Sequence, residues 1–262
     1  MRANKTIAHV VQHLQSGGIE NLALEMLRAE DPRSRQVIIS LEGIASEAIS
    51  AWPRLAGFED RIHFMEKKPR LDPSLPAKIA RLLNAEGVDV VQTHHVGPLI
   101  YGGPAARLAG ARLLHVEHDA WHLEDPRRRN LVRGFATVLR PKFVAVSALV
   151  AEKASATIGQ TFSVIPNGVD MEKFKPGSRS QARAELGLGD IGARPLIVCA
   201  ARLEPVKGVD VLIDALATMP EETVLAVAGD GSARASLESQ AFAVAPERVH
   251  FLGNIDNTPD LF

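Results

Sequence analysis

Cysteine is almost absent: Cys199 is the only one in 262 residues. An intrachain disulfide is thereby excluded, and the lone thiol, set inside the apolar run PLIVCA, reads as packing in a reducing compartment. Net charge is equally scarce, since 30 Lys and Arg against 31 Asp and Glu leave −1. Without a global basic field, a nucleic-acid partner is not expected. Long apolar runs are missing too. No stretch reaches the roughly 20 residues that cross a bilayer, and IAHVV near the start is too short and too interrupted for a secretory leader. A cytoplasmic chain is the expectation. There is no low-complexity tract. Nor is there a glycine-rich dinucleotide fingerprint followed by an acidic residue after the second strand, which counts against a nicotinamide-dependent oxidoreductase.

What is present is a core-forming composition, 46% hydrophobic, arranged with two alternating periods. Strand-length apolar runs stand at IAHVV, QVIISL, DVVQTH, RLLHVEH and KFVAVS. Between them lie helix-spaced segments, IENLALEMLRA, LPAKIARLLNAE, IYGGPAARLAG and RRNLVRGFATVLR. Strand–helix alternation predicts a parallel sheet with helices on its faces. After NGVDMEKFKPGSRSQARAELGLGDIGARP, a Gly-, Pro- and charge-rich linker with one short helix, a second series begins. It runs LIVCA, GVDVLIDALATM, TVLAVAG, ARASLESQAFAV and RVHFLG. The fold class is therefore α/β, two Rossmann-like domains in tandem, with boundaries at 1–172 and 173–262. The second has only three strands where a doubly wound domain usually has about five or six, so it is expected to be incomplete.

Candidate binding residues sit at strand-to-helix turns, where a parallel sheet presents its carboxyl edge. RLEPVKG places Arg202 and Lys207 between LIVCA and the next helix. Unpaired N–H groups and the positive end of that helix aim at the same place, so the turn suits a diphosphate, above all one that departs and gains charge during a reaction. Gly17 and Gly18 precede a helix after the first strand, and glycines there permit positive φ and close approach of a phosphate or sugar. His94 and His95 end one strand and His118 and Asp119 another. Asn167 stands in a turn at the junction of the halves, and Gly229, Asp230 and Gly231 end the TVLAVAG strand.

The ordered set GGIE, THH with AARLAGARLLHVEHD, VAVSALVAEKA, VIPNGVDMEKFKP, ARLEPVKGVDVLIDA, AGDGSARASLE and VHFLGNID resembles the GT-B glycosyltransferases of the retaining family four, the glycosyl transferases group 1. The resemblance runs from about Ile7 to Phe262. It implies an N-terminal acceptor-side domain, a C-terminal nucleotide-sugar domain, and a cleft between them. By the same resemblance Arg202 and Lys207 neutralise the donor diphosphate, and Gly17 and Gly18 belong to a loop closing over the donor. Gly229, Asp230, Gly231 and Asn167 border the nucleotide, while His94, His95 and Asp119 lie on the acceptor side. His118 corresponds to a histidine beside the reacting sugar and acceptor, where a neutral imidazole accepts, relays or orients a proton. No cofactor is implied: a UDP- or GDP-sugar is the substrate, and the acceptor is a carbohydrate, lipid-linked or small molecule of surface polysaccharide, lipopolysaccharide or glycolipid assembly.

The family pattern continues with two glutamates, seven residues between them, that bind donor sugar and ribose, and this sequence ends before them. The expectation is a truncated site with a diphosphate clamp but without those contacts, a poor catalyst, and in the limit a silent remnant that only binds. A metal is not expected. His115, His118 and His122 are spaced so that strand geometry turns them to opposite sides, and the family uses none. In DPRRRNLVRGFATVLRPK the stripe Leu131, Phe135 and Val138 is expected to pack on the core. The same basic, amphipathic segment, led by Arg127, Arg128 and Arg129, also suits an anionic membrane surface.

Overall fold

Apolar runs rich in Val and Ile become strands, and the amphipathic segments between them become the helices that bury them. The computed structural model describes residues 5–29, 33–255 and 257–262; Asp256 of the FLGNID stretch lies outside them. The chain divides into two compact units, Met1–Gly168 and Val169–Phe262.

The first unit runs β1 (Lys5–Val11), α1 (Gly18–Arg28), β2 (Ser34–Ser40), α2 (Ala45–Ala51), β3 (Ile62–Phe64), α3 (Leu75–Ala85), β4 (Val90–His94), α4 (Val96–Ala109), β5 (Arg112–Glu117), α5 (Pro126–Leu139), β6 (Lys142–Ala145), α6 (Ala148–Ile158) and β7 (Phe162–Val164). Its seven strands lie in the order β3-β2-β1-β4-β5-β6-β7, all neighbours parallel. Because side chains alternate along a strand, β1 splits its residues between two cores. Ala8 and Val10 pack with Leu75, Ile79, Leu83 and Tyr101 of α3 and α4. Val11 packs with Leu24 and Leu27 of α1 on the other side. Helix α4 lies so close to the sheet that a Cβ on Gly102 would stand 2.9 Å from Thr93 Cγ2.

The second unit runs α7 (Arg179–Glu185), β8 (Leu196–Ala200), α8 (Val209–Leu216), β9 (Val224–Ala228), α9 (Arg234–Val244) and β10 (Val249–Gly253). Its three strands are parallel in the order β10-β9-β8. Leu203, Ile213, Leu225, Val227 and Leu237 form its main core.

The α/β pattern and every strand expected from apolar runs are present. Two strands escaped the sequence pattern: β3 and β7 have three residues each, too few to show a period. Helices α2 and α6 also lie in segments read without an element. One packing expectation is corrected. Helix α5 buries Val132 and Ala136, whereas Leu131 is 45% and Val138 67% exposed. The i,i+4 pair 132/136 faces Leu99 and Phe143, and Phe135, half-buried, packs against the same cluster as expected, which leaves only Leu131 and Val138 of the predicted stripe turned outward.

Candidate functional site

Strand order reverses between β1 and β4: the chain leaves the centre through β2 and β3, then returns to β4 on the other flank. At such a switch point an open α/β sheet places its crevice, beyond the carboxyl ends of the strands. The turn leading to Gly17 and the turn carrying His94 and His95 flank it. Gly17 caps α1 with φ −157°, an extended value open to any residue, and Gly18 is the helix's first residue. Positive φ is therefore not what glycine supplies here. Space is: nothing stands within 4 Å of a Cβ built on Gly18. Glu20, buried in the first helical turn, places its carboxylate beside Gly17 and 3.7 Å from His13 Nδ1. The positive end of α1 is thus already faced by an anion.

The structure brings His94, His95, His118 and Asp119 together. His94 is buried, and its Nδ1 lies 2.9 Å from His118 Nε2. The His95 and His118 rings lie 5.7 Å apart. His95 caps α4 at φ 65° and ψ −178°, an extended positive-φ conformation that is almost glycine's alone and costs another residue about 1–3 kcal/mol, and its side chain lies toward Asp119, with Nε2 to Oδ2 at 3.6 Å. Burial lowers the pKa of His118 to about 4 and that of His94 well below the usual imidazole value, with neighbouring histidines adding to the effect. His118 is therefore a neutral imidazole at pH 7.

On the other face of β5 stands a carboxylate that the sequence reading did not single out. Glu117 is fully buried and accepts from His115 Nε2 at 3.1 Å, with His122 Nε2 at 3.4 Å and His95 Nδ1 at 3.9 Å. His122 also bonds Asp119 Oδ1 at 2.8 Å. Burial would lower the His122 pKa, but the hydrogen bond to Asp119 and the Glu117 charge outweigh it and raise it. Of the histidines weighed for a metal, His115 turns instead to Thr93 Oγ1 at 2.9 Å and Glu117. A different trio, His95, Asp119 and His122, brings ligand atoms within 4.8 Å of one another, a convergence the Asp119–His122 hydrogen bond already accounts for.

In the second unit, Arg202 and Lys207 sit on the turn from β8 to α8. The turn closes through a 3-10 segment, Pro205–Lys207, and Gly208 at φ 64°. Both side chains are exposed, and neither makes a hydrogen bond or ion pair among the described residues. The neighbouring Gly229–Gly231 turn is packed against this one through backbone. Leu203 N–H donates to Asp230 O at 2.9 Å, and Ala233 N–H donates to Leu203 O at 2.9 Å. A Cβ on Gly231 would come within 2.5 Å of Leu203 O, and one on Gly229, at φ 130°, would overlap Ala201 O. Glu204 joins the two turns by accepting from Ser232 N–H at 3.2 Å and Oγ–H at 2.7 Å. That hydroxyl holds its carboxyl below the ordinary range. Asp230 is occupied by Arg234 at 3.2 Å. Asn167 lies in an exposed stretch after β7.

Residues 16–173 match the model described as Glycosyltransferase Family 4, and residues 188–262 that of Glycosyl transferases group 1. A GDP-mannose-dependent alpha-(1-6)-phosphatidylinositol monomannoside mannosyltransferase of Mycolicibacterium smegmatis is 31% identical over 183 residues, 65% of this chain and 46% of that protein. A GDP-mannose-dependent monoacylated alpha-(1-6)-phosphatidylinositol monomannoside mannosyltransferase of Corynebacterium glutamicum is 27% identical over 251 residues, 92% of this chain and 64% of its own length. The chain thus spans about half to under two thirds of those relatives. The crystal structure of Anabaena HepE with UDP-glucose superposes with a TM-score of 0.80 at 22% identity, over 98% of this chain and 71% of that one, which shows the GT-B fold. The matched segments, the paired parallel sheets and the two carboxyl-edge turns agree: this chain belongs to glycosyltransferase family 4.

Proposed function

We propose that the chain carries the transfer of a sugar from a nucleotide-sugar donor to an acceptor hydroxyl, with retention and without a metal. The observation that carries this is the β8–α8 turn. Two exposed cations stand there at the start of a helix, without a hydrogen bond or close ion pair among the described residues although the Arg202 charge is felt by Glu204, beside a glycine turn whose backbone makes way for a neighbour. Arg202 and Lys207 would hold the diphosphate and stabilise it as it leaves, when its charge is greatest. Gly18 offers the donor open backbone at the switch point of the first unit, and His118, kept neutral by burial, meets the acceptor hydroxyl as hydrogen-bond acceptor. His94, His95 and Asp119 then line the acceptor side. Gly229, Gly231 and Asn167 fall to the nucleotide. The names of the relatives favour GDP-mannose as donor and a phosphatidylinositol mannoside as acceptor.

Calorimetric titration with GDP-mannose and UDP-glucose tests the donor site. The reading expects micromolar binding of one of them, and either Arg202→Ala or Lys207→Ala should weaken it at least tenfold. Each lost charge-assisted contact is worth about 1.5–3 kcal/mol. Wild-type affinity in both variants would refute the clamp. Binding without turnover on phosphatidylinositol mannoside would leave a binding domain rather than a transferase. Chelator added to an active preparation should change nothing.

A peripheral membrane contact is proposed on α5. Leu131, Phe135 and Val138 line an open apolar groove with Leu108 of α4, beside Arg127, Arg128 and Arg129 at the start of α5. No helix of the described residues is long and apolar enough to cross a membrane.

A further inference from the structure

The register of the first sheet sets three polar side chains on one face of three adjacent strands and continues that face to His118, the residue just past the end of the fourth, β5. Gln36 of β2 pairs with Ile7, two residues below His9 of β1. His9 pairs with Gln92, two below His94 of β4. His94 pairs with Val116, two below His118. Each step moves one strand across and two residues toward the carboxyl edge, and an even step keeps the face. Parallel strands are about 4.8 Å apart and two residues climb about 6.6 Å, a diagonal that long side chains bridge.

They do bridge it. Gln36 Oε1 lies 2.8 Å from His9 Nε2, His9 Nδ1 lies 3.4 Å from His94 Nε2, and His94 Nδ1 lies 2.9 Å from His118 Nε2. The Gln36 amide is itself held by its Nε2 donating to Ser34 Oγ at 3.1 Å.

Proton counting then fixes direction. A neutral imidazole has one N–H and one lone pair. The Gln36 carbonyl oxygen only accepts, so His9 carries its proton on Nε2 and offers Nδ1 as acceptor. His94 must then donate from Nε2, and His118 likewise. Three imidazole protons serve three hydrogen bonds. The one ring nitrogen left over is Nδ1 of His118, which has no hydrogen-bond partner among the described residues. We propose that Gln36 and His9 are positioning residues that, through His94, hold His118 in its Nε2–H tautomer and leave its Nδ1 a bare lone pair. Burial supports this, because it keeps a further proton off His9 and His94. The use of that lone pair for an acceptor hydroxyl rests on the transferase reading; the tautomer does not.

The test is long-range proton–nitrogen NMR of the full chain labelled with 15N-histidine at pH 7.5, with resonances assigned through single His→Gln variants. His9, His94 and His118 should all show the Nε2–H pattern. A protonated Nδ1 on His118, the opposite polarity that a reversed Gln36 amide would impose, overturns the proposal in the wild-type spectrum alone. In Gln36→Leu the His118 pattern should move toward a mixture of tautomers, and an unmoved pattern also overturns it. With an active preparation, Gln36→Leu should lower kcat about tenfold with donor KM within about twofold. Unchanged kcat in a variant whose tautomer has moved overturns the positioning role. Absence of turnover in the wild type would count against the transferase reading, while the spectra still decide the tautomer.

Discussion

Gly18 and Gly231 respond to an added methyl group in opposite ways. Gly18 has open space around its absent side chain, whereas Gly231 abuts the Leu203 backbone. Gly18→Ala should leave thermal stability within about 0.5 kcal/mol of wild type while weakening nucleotide-sugar binding, which separates a functional glycine from a structural one. Gly231→Ala should cost about 1–3 kcal/mol, the range for forced overpacking, read from urea unfolding. The histidines make a pH prediction. His9, His94, His95 and His118 all have lowered pKa values in the fold, chiefly through burial, and His118 falls to about 4. Unfolded imidazoles titrate near 6.5, so below that pH the unfolded state binds more protons and is favoured. Stability should therefore be full above about pH 6.5 and decline toward pH 4. His122, with its raised value, acts in the opposite sense, losing its contribution as pH rises, but it is one group against four. A urea midpoint that stays flat from pH 7.5 to 5 would contradict this. At this scale Arg202 and Lys207 were legible because their signal is local, one turn in one motif. The partners of the histidine chain are separated by 27, 85 and 24 positions. No spacing rule could join them without the strand register.

Elements were legible in proportion to their length. Strands of four or more residues announced themselves as apolar runs, while β3 and β7 left no period to read. Helix α5 shows a second limit. Positions 131, 135 and 138 and positions 132 and 136 both carry helical spacing, and only the direction in which the sheet lies decides that 132 and 136 are buried, 135 half-buried and 131 and 138 exposed. Because Leu131 and Val138 are outward, α5 should bind vesicles containing acidic phospholipid and ignore neutral ones. Leu131→Glu with Val138→Glu should remove most of that binding in a flotation assay, without changing the far-ultraviolet circular dichroism. Binding equal to wild type would leave the groove without this role.

At the scale of the whole molecule, each unit has its own buried clusters, and each is expected to unfold as its own cooperative step. The second has three strands against seven and should melt first. Both tryptophans, Trp52 and Trp121, belong to the first unit. Heating should therefore change circular dichroism before tryptophan emission, and coincident curves would refute the separation. The tandem α/β plan was legible here because strand–helix alternation repeats over the whole chain.

The two-residue rise of the Gln36–His9–His94–His118 series also predicts how relatives can diverge. Substitutions on the other face of β1, β2 or β4 leave the series intact, however numerous they are. Losing or gaining a single residue inside any of those strands reverses the faces beyond that point and uncouples His118 from everything upstream. Along these strands, then, descendants of this sequence should tolerate changes of letter far more readily than changes of length.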